Sequence, residues 1–336
     1  MTDLLNQPIL VIGAGSWGTA LSLVLARNKQ PVYLWGHNAE HLQAMQNSRS
    51  NEHYLPGISF PENLNIITDL NKALSNVTDI LIAVPSHAFR TILIRIKPHL
   101  SKQTRIVWAT KGLDTHTSKL LHVVAEEIVG THTPLSVLSG PSFAKEVANN
   151  LPTAVTVATM DAQFGRDLTT RFHTNTFRIY TSNDLIGVQL GGAIKNILAI
   201  AAGISDGLGM GCSARAALLT RGLTEMMRLG LAMGGQQETL IGLSGLGDLI
   251  LTSTDNQSRN RRFGLAIAQG KSMQDALKEI NQVVEGIPTT EEVFRLSQQL
   301  NINMPITEQV YGVIYKNVSP EKSVQQLLAR VPKMEN

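Results

Sequence analysis

A single cysteine, Cys212, stands in a sequence of 336 residues, which excludes any internal disulfide framework and points to a reducing compartment. Aromatic residues are scarce, at 5%, and charged residues make up only 16%, with a net charge of +3. A chain so nearly neutral, with few aromatics to interleave among its cations, is not expected to bind nucleic acid. Long apolar runs free of polar groups are also missing. The nearest to one, Leu185 to Ile204, carries Gln189, Lys195, Asn196 and four glycines, so it reads as a buried helix and no membrane span is expected. Met1 to Gln7 has neither the basic start, the longer apolar stretch nor the small-residue cleavage site of a secretory signal, and the expected location is cytoplasmic. Low-complexity tracts, heptads and internal repeats are absent, and nothing in the residue pattern calls for a metal. What the chain does have is 43% hydrophobic residues, enough for a large core, and a length that suits two domains.

The first half alternates apolar runs with amphipathic segments. Strands are expected at Ile9–Ile12, Val32–Trp35, Ile66–Thr68, Ile80–Val84, Ile106–Ala109 and Leu135–Leu138, with further strands at Ala154–Ala158 and Arg178–Tyr180. Helical spacing occupies Gly18–Asn28, Ala88–Ile96 and Ser118–Val129, while residues 53–63, with Pro56, Gly57 and Pro61, read as an irregular connection. After Asn183 the strand-like runs nearly vanish. The reading is an α/β protein: a Rossmann-type, doubly wound, mostly parallel sheet over residues 1–183, then an all-α domain over 184–336, with a frayed end after Pro332.

Gly13-x-Gly15-x-x-Gly18 follows the first strand and opens the first long helix. The first glycine permits a tight turn, the second lets backbone approach a pyrophosphate, and the third lets helix and strand pack closely. The helix N-terminus adds free amides and partial positive charge. In this strand–turn–helix setting the motif predicts a nicotinamide dinucleotide site. The second strand ends in Leu34-Trp35-Gly36-His37-Asn38, with no carboxylate before Glu40 to hold a ribose diol. NAD or NADP is therefore expected, with His37 either a donor to a 2′-phosphate or an exposed loop histidine.

Lys195 lies in an apolar helix, where it either snorkels to the surface or is buried with a lowered pKa suited to proton transfer. Asp248, in the small-residue loop Leu243 to Asp248, is a carboxylate that loop could carry to it. The stretch Asn256 to Gly264 packs Arg259, Arg261 and Arg262 with Ser258 and Asn260, either a cradle for phosphate or a solvated basic face. Lys111 follows the C-terminal end of a strand, where ligands bind in open α/β sheets, and Ser139-Gly140-Pro141-Ser142 forms a small turn at the end of the next.

These pieces in this order resemble one family, the bacterial NAD(P)-dependent glycerol-3-phosphate dehydrogenases. The resemblance covers nearly the whole chain, and its most specific parts are Ala109–Gly112, Leu138–Ala144, Gly192–Asn196, Gly245–Asp248 and Ser258–Arg261. It implies reversible reduction of dihydroxyacetone phosphate to sn-glycerol 3-phosphate, which supplies phospholipid backbones. It further implies that Lys195 is the catalytic proton donor or acceptor and that Lys111, Gly140, Ser142, Asp248, Ser258, Arg259 and Asn260 contact substrate. Ser16, Trp17, His37, Lys111, Ala144, Arg259, Val283 and Glu285, with Gly13, Gly15 and Gly18 of the turn, would contact the cofactor. A homodimer formed through the helical domain is implied as well. Two other readings stay open on the residues alone: a dehydrogenase of the same plan acting on a phosphosugar acid or 2-hydroxy acid, and a non-catalytic dinucleotide sensor.

Overall fold

In the computed structural model, which describes residues 2–331 and 334, the first half of the chain builds one eight-stranded sheet. Its strands are β1 (Ile9–Ile12), β2 (Val32–Trp35), β3 (Leu64–Ile66), β4 (Asp79–Ile82), β5 (Arg105–Trp108), β6 (Leu135–Ser139), β7 (Thr153–Thr159) and β8 (Phe177–Ser182). They lie in the order β8-β7-β6-β5-β4-β1-β2-β3. From β3 to β6 every pair is parallel, in the doubly wound order of dinucleotide-binding folds. β7 runs antiparallel to β6, and β8 pairs parallel with β7. Every residue of β1 and β4 is buried, as expected for central strands covered on both faces.

The third strand comes two residues earlier than the apolar run predicts, because Leu64 rather than Thr68 pairs with β2. Residues 53–63 are not wholly irregular: Leu55–Ser59 folds back as a strand against Ser50–Asn51, a short antiparallel ribbon outside the main sheet. The helix expected from Ser118 starts at Leu121, since Ser118 has φ +56° and ends a turn closed by its own amide on Asp114 O. The expectation about the end after Pro332 lies outside the described residues, Met334 apart.

Among the described residues no strand follows Ser182. The helices that matter below are α1 (Ser16–Arg27), α2 (Ser86–Ile96), α3 (Leu185–Gly207), α4 (Gly211–Ala232), α5 (Asp248–Thr254), α6 (Arg259–Ala268), α7 (Gly286–Gln299) and α8 (Pro305–Tyr315). Asp184 caps α3 by accepting from Gly187 N, and its other oxygen accepts from Gln236 N. α3 is long and apolar enough to cross a bilayer, yet 89% of its apolar window is buried within the protein. It crosses α6 at backbone distance: a Cβ on Gly203 would lie 2.1 Å from Arg261 O, and one on Gly264 2.1 Å from Ile200 O. Only glycine permits that approach.

Two apolar cores result, one around the sheet and one among the helices. They are not cleanly divided by sequence. Leu113 and Leu120, from the connection after β5, are buried in the helical core. The connection bearing Lys111 is thus anchored in both halves.

At the opposite end of the sheet, Asp79 is fully buried at the start of β4 and accepts from Arg105 at 2.7 and 2.8 Å and from Arg171 Nε at 2.7 Å. Arg171, also fully buried, reaches Gln30 and the carbonyl of Gln7, tying the helix after β7 to the sheet. Removing one partner of a buried ion pair leaves uncompensated charge. Asp79→Asn is expected to cost about 3–5 kcal/mol of unfolding free energy in urea melts.

Candidate active site

The glycine turn sits where the strand order reverses, between the C-terminal ends of β1 and β4. Gly13 has φ +122°, and a Cβ there would lie 2.4 Å from Ala83 O; a Cβ on Gly18 would lie 1.8 Å from Gly13 O. Gly15, by contrast, has nothing within 4 Å on its open side. Among the described residues the amides of Gly15 and Ser16 have no partner, and Trp17 Nε1 is buried without one. Open space above a glycine, free amides at a helix start and an orphaned indole N–H fit the pyrophosphate of a dinucleotide. Ala144 opens a short helix, Ala144–Ala148, whose last carbonyls accept from Arg27 at the end of α1.

Polar groups from both halves of the chain meet beside this turn. Lys195 Nζ is buried and donates to Asp248 Oδ1 at 3.1 Å and Thr252 Oγ1 at 2.8 Å. Lys111 Nζ donates to the other Asp248 oxygen at 2.5 Å and to Gly140 O at 3.0 Å, which also accepts from Ser142 Oγ. The snorkelling alternative for Lys195 does not hold. Burial pulls its pKa down to about 8, helped by Lys111 and Arg259 and opposed by Asp248. Burial alone would raise the Asp248 pKa, but the two ammonium groups hold it below its ordinary range.

Local structure explains the placement. The π-turn Leu243–Gly247 leads into α5, whose first residue is Asp248. That turn lies on α3 because Gly191 has no side chain: a Cβ there would be 2.6 Å from Ser244 O. Gly192, next in line, leaves room for the Lys111 stem, 3.5 Å from where its Cβ would be. Lys195 follows one turn later on the same helix, so α3 brings the carboxylate and both cations together.

Ser258 Oγ caps α6 by accepting from Arg261 N at 3.2 Å, which leaves the amides of Arg259 and Asn260 without partners among the described residues. The Asn260 side chain is spent inside the fold, donating to Asn196 Oδ1 at 2.8 Å and accepting from Gly286 N at 2.9 Å. The unpartnered backbone amide of Asn260 is its group left open at the start of α6. Arg261 is committed elsewhere, to Asp206 at 2.6 Å and to Asn256. Arg259 faces Glu285 and Tyr54; burial lowers its pKa while these two oppose. Glu285, pushed up by burial and held down by Arg259, accepts from Ser86 Oγ at 3.2 Å and so joins the helical half to the start of α2. His37 and Val283 are exposed. Among the described residues no group of three or more His, Cys, Asp and Glu could hold a metal ion. A cavity of about 960 Å³ lies elsewhere, between β8 and residues 236–243, and includes none of these side chains.

Three participants were not singled out from the sequence. Thr252 is four residues after Asp248 on one helix, a spacing that puts both on one face and could have signalled it. Asn196 adjoins Lys195 but carries no pattern of its own. Glu292, in α7, is buried and accepts from Leu113 N at 3.3 Å, two residues beyond Lys111; its other oxygen is unpartnered.

The fold and site together are those of a two-part, dinucleotide-dependent oxidoreductase. Residues 8–165 and 184–325 match the N-terminal and C-terminal parts of NAD-dependent glycerol-3-phosphate dehydrogenase. The chain belongs to that family. It is 54% identical over 326 residues to a glycerol-3-phosphate dehydrogenase [NAD(P)+] of Vibrio cholerae, covering 97% of this chain and 95% of that protein. A relative of the same name from Actinobacillus pleuropneumoniae is 51% identical over 336 residues, the full length of both. The crystal structure of glycerol-3-phosphate dehydrogenase from Coxiella burnetii superposes with a TM-score of 0.95 at 53% identity, over 97% of this chain and 100% of that one.

Burial, with Glu285 and Asp114 nearby, raises the Glu292 pKa to about 8, opposed by the Leu113 amide. A carboxyl whose folded pKa is raised contributes stability that is fully present below its unfolded value and lost as pH rises through about 8. Glu292→Gln, which does not titrate, is expected to flatten this decline by up to about 1.4 kcal/mol per pH unit, measured by urea melts from pH 5 to 8.5.

Proposed function

We propose that this chain catalyses the reversible reduction of dihydroxyacetone phosphate to sn-glycerol 3-phosphate with NADH or NADPH, feeding glycerophospholipid synthesis. The observation that carries the reading is the pair Lys195 and Lys111 on Asp248, adjoining the free amides of α6. Residues of both family halves meet there, and the relatives named above carry that activity in their names.

The glycine turn, with Ser16 and Trp17, holds the dinucleotide's pyrophosphate, and Ala144, Arg259, Val283 and Glu285 complete its surroundings. When bound, the dinucleotide supplies or accepts a hydride at the substrate carbon. The phosphate of the substrate lies on the Arg259 and Asn260 amides under Ser258, where helix dipole and guanidinium favour an anion. Lys195 donates a proton to the developing alkoxide and stabilises it beforehand by its charge. Asp248 and Thr252 aim that ammonium, and Lys111, anchored by Gly140 near Ser142, places a second positive charge at the substrate. With Lys195 near pKa 8, it is charged for reduction at neutral pH and accessible as a base for oxidation.

The end of β2 carries no carboxylate before Glu40 and has the exposed His37 as a donor for a 2′-phosphate, which supports acceptance of both nucleotides. Residues 1–183 form the dinucleotide domain and 184–336 the substrate domain, a division supported by the end of β8 at Ser182 and the Asp184 cap. The helical part forms a homodimer; residues 211–220 of α4, apolar in Ala214, Ala216, Ala217, Leu218 and Leu219, include no buried residue. The location is the cytoplasm.

Lys195→Ala is expected to lower kcat by about 10²–10⁴-fold with cofactor affinity unchanged. In the parent enzyme, reduction falls and oxidation rises as pH passes through about 8. Steady-state NADH oxidation with dihydroxyacetone phosphate measures both, and near-parental turnover in the variant sinks the assignment. Arg259→Ala should chiefly raise the KM for dihydroxyacetone phosphate, by about tenfold or more for a lost charge-assisted contact. The same assay with a phosphosugar acid and 2-hydroxy acids tests the rival dehydrogenase readings, and binding of NADH without turnover on any of them would favour a sensor.

A further inference from the structure

Asn51, in the short ribbon after α1 and β2, is fully buried, and every hydrogen-bonding position of its amide is occupied. Its Nδ2 donates to Ala14 O at 3.0 Å and to Thr19 Oγ1 at 2.8 Å. Its Oδ1 accepts from Tyr54 N at 3.3 Å and faces His41 Nε2 at 2.9 Å. Ala14 lies inside the glycine turn. The peptide joining Ala14 to Gly15 is trans, so its N–H points opposite to its C=O. Holding the Ala14 carbonyl toward Asn51 therefore aims the Gly15 amide the other way, and that amide has no partner among the described residues.

This peptide rotates about ψ of Ala14 and φ of Gly15, and Gly15 lacks the Cβ that would restrict the second of these. A tight turn does not settle the direction of the amide by itself. The second Asn51 bond, to Thr19 on the first turn of α1, fixes the amide plane relative to that helix.

We infer that Asn51 is a positioning residue for dinucleotide binding: it orients the Ala14–Gly15 peptide so that the Gly15 N–H meets the pyrophosphate. This rests on the proposed use of the glycine turn. The occupant that feels it is any diphosphate-bridged nucleotide, whereas a mononucleotide without the bridge does not.

The test is Asn51→Asp, nearly isosteric, which places a carboxylate oxygen against the Ala14 carbonyl in place of a donor. Kd is measured for NADH by fluorescence, and Ki for ADP-ribose and AMP by competition, beside KM for dihydroxyacetone phosphate. The expected result is a rise of about tenfold for NADH and ADP-ribose, the size of one lost hydrogen bond to a charged group, with AMP and the ketone KM within about twofold. Should Asn51→Asp not fold, Asn51→Ala carries the same expectation; failure of both to fold makes Asn51 a folding residue and overturns the inference. Unchanged NADH affinity, or an equal loss for AMP, also overturns it. A parent enzyme that binds no NADH would instead overturn the reading of the turn itself.

Discussion

Asp248 is shared by two ammonium groups that reach it from opposite halves of the chain. Lys195 comes from within α3, Lys111 from the loop after β5, and each takes one oxygen of the same carboxylate. A lone buried lysine would be costly, and two would repel; the carboxylate between them makes the arrangement tolerable while leaving net positive charge for an anionic substrate. Much of the architecture serves this point. Gly191 of α3 lets the π-turn that leads into Asp248 settle on its surface, and the Lys111 loop is pinned by Leu113 in the helical core and by Glu292.

The same constraint explains why the two halves are interlocked. Glu285 reaches from the helical half to the start of α2, Arg259 faces Glu285 and Tyr54, and Leu113 crosses into the second core. The candidate site is assembled from segments far apart in sequence. The Asp79 cluster, at the opposite end of the sheet, ties β4 to β5 and to the helix after β7.

Most of the fold was legible in residue patterns. Buried parallel strands read as continuous apolar runs, and the glycine turn marked the first crossover without ambiguity. What was misread had local causes. Leu55–Ser59 is a strand although Pro56 and Gly57 lie in it, because a ribbon at the margin needs few ladder bonds. Ser118 has the composition of a helix start, yet its backbone is left-handed. Of the site, Lys195, Asp248 and Arg259 stood out as charges in unlikely company. Thr252, Glu292 and Asn51 did not, since a polar residue among ordinary neighbours shows no periodicity or motif until its partner is known.

The chain's own order of residues determined the cofactor class, because a strand, a Gly-x-Gly-x-x-Gly turn and a helix are local and each glycine is needed at a set spacing. It also determined that an apolar helix would carry one lysine. Whether that lysine snorkels or is buried was left open by sequence, and only the tertiary structure decided it, through a carboxylate 53 residues away that offsets the cost of burial. Likewise only the folded chain showed that Asn260 spends its side chain on Asn196 and Gly286 and keeps its backbone amide free. Sequence states which donors exist; which of them are already satisfied depends on partners brought together by packing.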